Sequence, residues 1–236
     1  MVDGIIVIDK PQGWTSFDVV KKLRGITKTR KVGHSGTLDP MATGVLPLFF
    51  GAATKQVSRF MRGKKGYAAE MTLGVVTDSQ DADGKVLRQN AVARDITPNE
   101  ISAVFSAFTG PIEQVPPMVS AVKINGERLY KLARKGIEVK RKPRKVVIHE
   151  LNLTGIEGSR IRFFCLCSKG TYVRTLASDI GDRLGFGAHL SSLRRTMSEP
   201  FTEKHARSIG QVEEAMKSGD ISSLVLNPDD FIVESC

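Results

Sequence analysis

The chain has 236 residues, of which 41% are hydrophobic and 25% charged, with a formal net charge of +10. That length fits one large domain or two small ones, and the balance of apolar and charged residues fits a packed core rather than disorder. The positive field favours polyanionic partners, no apolar run nears the roughly 18 residues of a membrane span, and the start lacks the basic and apolar regions of a signal peptide.

Ile5 to Asp9 reads as a short buried strand, stopped by the turn-forming Lys10-Pro11-Gln12-Gly13. Ser16 is placed to cap a helix through about Ile26, with Phe17, Val20, Leu23 and Ile26 spaced to form its apolar face. Residues 32–47 hold Gly33, Gly36, Pro40, Gly44 and Pro47 among few periodic apolar positions, the pattern of a structured loop, although Val45 to Phe50 suits a buried strand. Tyr67 to Val75 suits another strand, with Tyr67, Ala69, Met71 and Leu73 on one face. Thr97-Pro98-Asn99-Glu100 is a capping box with proline at the first helical position. Ile101, Val104, Phe105 and Phe108 would bury the helix that follows, and Gly110-Pro111 would end it.

Asn125-Gly126 marks a tight turn, followed by a short basic helix from Arg128 to Lys135 with Gly136 as its left-handed cap. Val146–Leu153 and Arg160–Ser168 read as paired strands, Thr171–Leu184 as a helix closed by Gly185, and Ser208 as the cap of a last helix through about Lys217. Strands and helices interleave without the regular alternation of a doubly wound parallel sheet. The pattern therefore predicts an α+β fold, a mixed and largely antiparallel sheet flanked by helices, from which a basic insertion at about 123–145 departs.

Cys165 and Cys167 share one face of an extended segment, and with Cys236 they make an odd number without a Cys-x-x-Cys pair. Buried thiols in a reducing compartment are expected, not disulfides or a zinc site. His34, His149, His189 and His205 are too scattered for metal-ligand spacing. The positive charge is clustered. Arg128, Lys131, Arg134, Lys135, Lys140, Arg141, Lys142, Arg144 and Lys145 face one acid, Glu138, and smaller groups lie at Lys21–Lys31 and Lys55–Lys65. One such cluster can be a solvated face; three favour a polyphosphate partner.

The most informative stretch runs from Lys31 to Pro47, where Gly33, Gly36 and Gly44 permit sharp turns and close approach to a ligand. Asp39 precedes Pro40, which biases it to an extended conformation outside any helix. A carboxylate so held can serve chemistry or cap neighbouring backbone, and the residues alone leave both open. No Gly-Lys-Ser/Thr completes a phosphate loop, and no Gly-x-Ser-x-Gly forms a hydrolase elbow.

Gly33-His34-Ser35-Gly36-Thr37-Leu38-Asp39-Pro40, with Ala42-Thr43-Gly44-Val45-Leu46-Pro47 after it, resembles the signature of the TruB-type tRNA pseudouridine synthases. Further blocks resemble that family in the same order: Asp9-Lys10-Pro11-Gln12-Gly13, Lys65-Gly66-Tyr67, Gln114–Lys123 with Gly126–Tyr130, Lys169–Leu176 and Leu193-Arg194-Arg195.

The resemblance implies isomerisation of one uridine to pseudouridine in the T-loop of tRNA, without metal or organic cofactor, by a cytoplasmic enzyme that needs no obligate protein partner and no membrane. It implies that Asp39 is the catalytic carboxylate and that Arg174 pairs with it. Tyr67 and Tyr172 would line the pocket of the flipped uracil, and His34 would fill the space that nucleotide leaves. Lys10 would support the pocket floor, and Leu193 would touch the base. It further implies a single catalytic domain over residues 1–236 with an RNA-gripping insertion at about 123–145. Too little sequence follows Phe231 for the small C-terminal PUA domain of bacterial members. An RNA-guided relative, which holds its guide through a PUA domain, and a tRNA-folding chaperone are the alternatives.

Overall fold

The computed structural model describes residues 2–92, 94–120, 123–124 and 126–231. In chain order they form β1 (Gly4–Lys10), α1 (Ser16–Thr27), β2 (Val32–His34), β3 (Thr43–Phe50), α2 (Val57–Phe60), β4 (Lys65–Leu73), β5 (Val75–Thr77), β6 (Val86–Gln89), α3 (Pro98–Phe108) and β7 (Gly110–Gln114). There follow β8 (Lys123–Ile124), β9 (Glu127–Arg128), α4 (Leu129–Arg134), β10 (Arg144–Glu157), β11 (Arg160–Cys167), α5 (Val173–Arg183), β12 (Ala188–Ser198), β13 (Phe201–Thr202) and α6 (Ile209–Ser218). The expected α+β class holds: pairing is antiparallel for β1–β3, β2–β3, β12–β13, β7–β10 and β10–β11, and parallel between β3 and β12. Among the described residues no helix is long and apolar enough to cross a membrane.

The chain divides into two compact units, one of residues up to Ala68 and from Leu193 onward, the other Ala69–Ser192. In the first unit β1 lies along β3 in full register, Gly4 opposite Phe50 and Lys10 opposite Gly44. Ile5, Val7, Val45, Phe49, Phe60 and Phe201 form its core. Phe60 packs 5.1 Å from Phe49 and 5.5 Å from Phe201, and Phe231 closes on Phe201 at 4.8 Å. Each buried ring contributes roughly 1.5–3 kcal/mol through the apolar surface it removes from water. Gly44, with φ of +99°, sits where β3 meets β12; a Cβ there would lie 2.3 Å from the Arg195 carbonyl oxygen. That seam requires glycine on both conformational and steric grounds.

In the second unit α3 packs on β10, and Phe105 meets Phe163 edge-on at 5.8 Å. Its N-cap is the expected Thr97, whose capping box with Glu100 is complete. Cys165 and Cys167 share one face of β11, as their spacing predicts, and both are buried. Gly136 and Gly185 take the expected left-handed conformations after α4 and α5.

Several boundaries differ from the sequence pattern. Thr15, not Ser16, caps α1, through a reciprocal box with Asp18. α1 buries Val19, Val20, Leu23 and Thr27, while Phe17 is 63% exposed. A repeat of 3.6 residues puts Val19 and Thr27 on the buried face with Val20 and Leu23, where a strict spacing of three would put Phe17 and Ile26. The predicted strand through Val75 breaks at Gly74, whose φ is +84°. Residues 32–47 are a loop only from 35 to 42, with β2 and the start of β3 at its ends. The Asn125-Gly126 turn lies partly outside the described residues, at Asn125.

Candidate active site

The first unit contains Asp39, Lys10, His34, Tyr67 and Leu193; the second contains Tyr172 and Arg174. Asp39 sits on the loop between β2 and β3, half-buried, with exposed Pro40 after it. A short loop carrying a charged residue would ordinarily wander. This one is held from several sides.

Lys10, at the end of β1, is fully buried. Its Nζ donates to the carbonyl oxygens of Trp14 at 2.6 Å, Pro11 at 2.9 Å and Pro40 at 3.2 Å. Three N–H donors thus meet three carbonyls, which satisfies an ammonium in a place where an unpaired one would be costly. Burial lowers its pKa from 10.5 to about 8, the Asp39 carboxylate opposes that fall, and the Arg195 guanidinium adds to it. The Gly13 amide also donates to the Pro40 carbonyl, at 2.8 Å, and the Ala42 amide closes a turn on the Asp39 carbonyl at 3.1 Å.

Arg195 enters from β12 and is 1% exposed. Its Nε donates to the Val45 carbonyl at 2.7 Å, and its terminal nitrogens donate to Gly36 at 3.1 Å and Thr37 at 3.4 Å. One planar guanidinium therefore joins β3 to the loop. From the other side Ser16, the first residue of α1, uses its hydroxyl to accept from the Leu38 amide at 2.8 Å and to donate to the Leu38 carbonyl at 3.2 Å.

His34 ends β2, and its Nδ1 accepts from the Gly36 amide at 3.3 Å. Burial first, and the Arg195 charge second, hold its pKa below the ordinary histidine value. The ring is neutral at neutral pH, with Nδ1 as acceptor and the proton on Nε2. Tyr67 on β4 and Leu193 on β12 are both buried. Beside Leu193, Arg194 forms a two-pronged ion pair with Asp9, both contacts at 3.0 Å, and a third contact with Glu203 at 2.6 Å. It anchors the end of β1 that carries Lys10.

In the second unit Arg174 lies in the first turn of α5 and is 2% exposed. It donates to the carbonyls of Ser79 and Val119, both at 2.8 Å, and pairs with Asp81 at 3.4 Å. Asp81 is itself buried and accepts from the Ser79 hydroxyl at 2.5 Å and the Asp83 amide at 3.1 Å. Tyr172 precedes α5. Its amide donates to the Gln114 side-chain oxygen at 3.0 Å, and its carbonyl accepts from the Gln114 side-chain nitrogen at 3.3 Å. A buried amide side chain thus grips the tyrosine backbone as a neighbouring strand would.

Asp81, Ser79 and Arg195 were not singled out from the sequence as site residues, nor was Gln114 given a role. The acid-rich turn Asp78-Ser79-Gln80-Asp81-Ala82-Asp83-Gly84 was the available signal for Asp81; for Arg195 it was only the Leu193-Arg194-Arg195 block, because an arginine on a strand otherwise reads as solvent-facing. In the basic run, Lys140, Lys142, Arg144 and Lys145 are exposed, whereas Arg141 is tied to Glu138 and to the Pro116 carbonyl. Among the described residues no group of three or more His, Cys, Asp or Glu side chains is placed to hold a metal ion.

Residues 24–173 match the family model described as TruB family pseudouridylate synthase (N terminal domain), and residues 174–232 match the tRNA pseudouridylate synthase B C-terminal domain. The chain is 48% identical over 238 residues to a tRNA pseudouridine synthase B of Bacillus cytotoxicus, covering 98% of this chain and 77% of the relative. It is 47% identical over 232 residues to that of Geobacillus thermodenitrificans, covering 95% and 76%. Among solved structures, a chain of a Cbf5-Nop10-Gar1 complex matches with a TM-score of 0.76 and 31% identity over 95% of this chain, which spans 60% of that one. A chain of an H/ACA RNP bound to a substrate RNA containing 2'-deoxyuridine matches with a TM-score of 0.69 and 29% identity, covering 92% of this chain and 55% of that one.

Proposed function

The chain belongs to the TruB family of pseudouridylate synthases, and on that premise we propose that it isomerises a uridine in the T-loop of tRNA, with Asp39 as the catalytic carboxylate. The observation that carries this assignment is the loop itself. Lys10, Arg195, Ser16 and Gly13 fix its backbone, and Asp39 itself is only partly buried. A partly buried carboxylate on a backbone so fixed suits chemistry on a bound nucleotide.

In the proposed reaction the bond from C1′ of the ribose to N1 of uracil breaks and the base turns in its pocket. C5 then bonds to C1′, C5 loses its proton, and N1 ends protonated. Atoms and electrons balance within the nucleotide, so the isomerisation needs no oxidant, reductant or organic cofactor. Asp39 acts on the sugar or the base at this step. Arg174 is proposed to pair with Asp39, with Asp81 and the Ser79 and Val119 carbonyls fixing its guanidinium. Tyr67 and Tyr172 are proposed to line the uracil pocket, Leu193 to touch the base, and Lys10 to support the floor. Neutral His34 would occupy the space left in the RNA stack. Flipping a base out costs a few kcal/mol, least in a strained loop.

The exposed lysines and arginines at 140–145 would hold the T-stem phosphates as part of an insertion, at about 123–145, in a single catalytic domain. Action in the cytoplasm without an obligate protein partner goes with this reading. The matches to tRNA pseudouridine synthases B, at 47–48% identity, favour it over action like the chains of the Cbf5-Nop10-Gar1 complex and the H/ACA RNP, matched at 29–31%. Incubating the protein with unmodified tRNA and mapping pseudouridine chemically tests it. One modified T-loop uridine, absent with Asp39→Asn, is the expected result; no product, or product only when a guide RNA is added, overturns it.

A further inference from the structure

Ser16 occupies the first position of α1 and is 2% exposed. A serine there would normally be explained by helix capping, but Thr15 and Asp18 already complete the capping box. The Ser16 hydroxyl instead reaches 22 positions along the chain, to Leu38. A hydroxyl has one hydrogen and two lone pairs, so it can accept from the Leu38 amide and donate to the Leu38 carbonyl at once. Leu38 is 3% exposed and lies in a loop. With the hydroxyl removed, its amide and carbonyl would lose these partners, and buried backbone groups do not remain unpaired without cost. The relaxation open to them is rotation of the 38–39 segment, which re-aims the next side chain. That side chain is Asp39.

We infer that Ser16 is a positioning residue for Asp39, setting the direction of the carboxylate through a two-way hydrogen-bonded clamp on the preceding residue. The clamp completes a frame whose other members hold the carbonyls of Gly36, Thr37 and Pro40. Arg195 and Lys10 fix the two flanks of the loop; Ser16 fixes the residue between them and the carboxylate. It sits under the loop and acts through backbone, so the effect of its loss falls on the bond-breaking step and not on RNA capture. The inference rests on the assignment of Asp39 above.

The test compares wild type with Ser16→Ala and Ser16→Cys, on unmodified tRNA, below the thermal transition of each protein. Ala removes both hydrogen bonds, whereas Cys keeps a weak donor and acceptor of similar size. Misplacement of a reacting group by an ångström can cost about a hundredfold in rate. We expect the single-turnover rate to fall by about ten- to a hundredfold in Ser16→Ala and by less in Ser16→Cys. The tRNA dissociation constant should stay within about twofold of wild type, since the phosphate contacts that dominate affinity are untouched. If the alanine variant does not accumulate as folded protein, the cysteine variant carries the comparison. A merely structural serine would lower the melting temperature and leave the rate of the folded enzyme unchanged, which overturns the inference. So does a rate loss matched by an equal loss of affinity. A wild-type protein that forms no T-loop pseudouridine refutes the proposed function and this inference with it, whereas active wild type with an equally fast alanine variant refutes the inference alone.

Discussion

Lys10 and Asp39 are joined through a single carbonyl: the lysine ammonium donates to Pro40, the residue directly after the aspartate, while the carboxylate's charge raises the lysine's proton affinity against the effect of burial. The lysine holds the loop, and the charge on the loop in turn helps keep the lysine protonated.

A pH dependence follows from the direction of the Lys10 shift. Its pKa falls from 10.5 to about 8 on folding, mainly through burial. Between those values the unfolded chain retains a proton that the folded chain releases, so this group adds stability as pH rises through that window. The unfolding free energy of wild type relative to Lys10→Met, measured by urea denaturation, is expected to grow from about pH 8 to 10.5 and to level off beyond. A difference independent of pH would mean that the folded lysine titrates as it does in the open chain.

Asp39→Asn keeps the side chain's shape and removes its charge and basicity. The variant is expected to fold, to bind tRNA with wild-type affinity and to form no pseudouridine in a chemical mapping assay. Measurable turnover would remove Asp39 from its proposed role.

Asp81→Asn withdraws the carboxylate from a buried arginine. Arg174 keeps the carbonyl acceptors of Ser79 and Val119 and loses the charge of Asp81. The expected loss is roughly 1.5–3 kcal/mol in chemical denaturation. A double-mutant cycle with Arg174→Met should show coupling above about 0.5 kcal/mol; additive losses would show that the pair does not act as a unit.

Replacing Lys140, Lys142 and Lys145 together by Ala removes exposed charges from the proposed stem-binding run. Affinity for tRNA is expected to weaken, and the slope of log affinity against log salt to shrink by about 0.7–0.9 for each phosphate that these lysines no longer neutralise. An unchanged slope would place the phosphates elsewhere on the surface.

How much of this was legible beforehand depended on whether the determining contacts were local. Thr97 and Glu100, three residues apart, announced their helix and formed its capping box. Tyr67, Ala69, Met71 and Leu73 alternated as a half-buried strand must. Cys165 and Cys167 were placed on one face by their spacing, and as buried thiols by the odd count without a Cys-x-x-Cys pair. The errors and omissions arose where a distant partner decided the outcome. Ser16 looked like a cap because its real partner, Leu38, lies far along the chain, and Phe17 looked buried because a spacing of three with Val20, Leu23 and Ile26 stood in for the 3.6-residue repeat. β12 carries Arg194 and Arg195 in its middle, which hid a strand with a buried face. Arg195 can be buried because backbone carbonyls of Gly36, Thr37 and Val45 receive its protons. Carbonyls belong to every residue, so no side-chain pattern could have revealed them. Arg174 was named through family likeness, as a partner of Asp39, whereas Asp81, 93 positions earlier and 3.4 Å from it, was not named.

The seam at Gly44 limits how this enzyme can change. Any side chain at that position would meet the Arg195 backbone, so β3 cannot slide along β12 to accommodate a longer or shorter stretch before it. Insertions between His34 and Thr43 have nowhere to be absorbed except in the segment bearing Asp39 itself. Redesign of substrate choice is therefore directed to other parts of the chain, where length can vary without moving the Asp39 carboxylate.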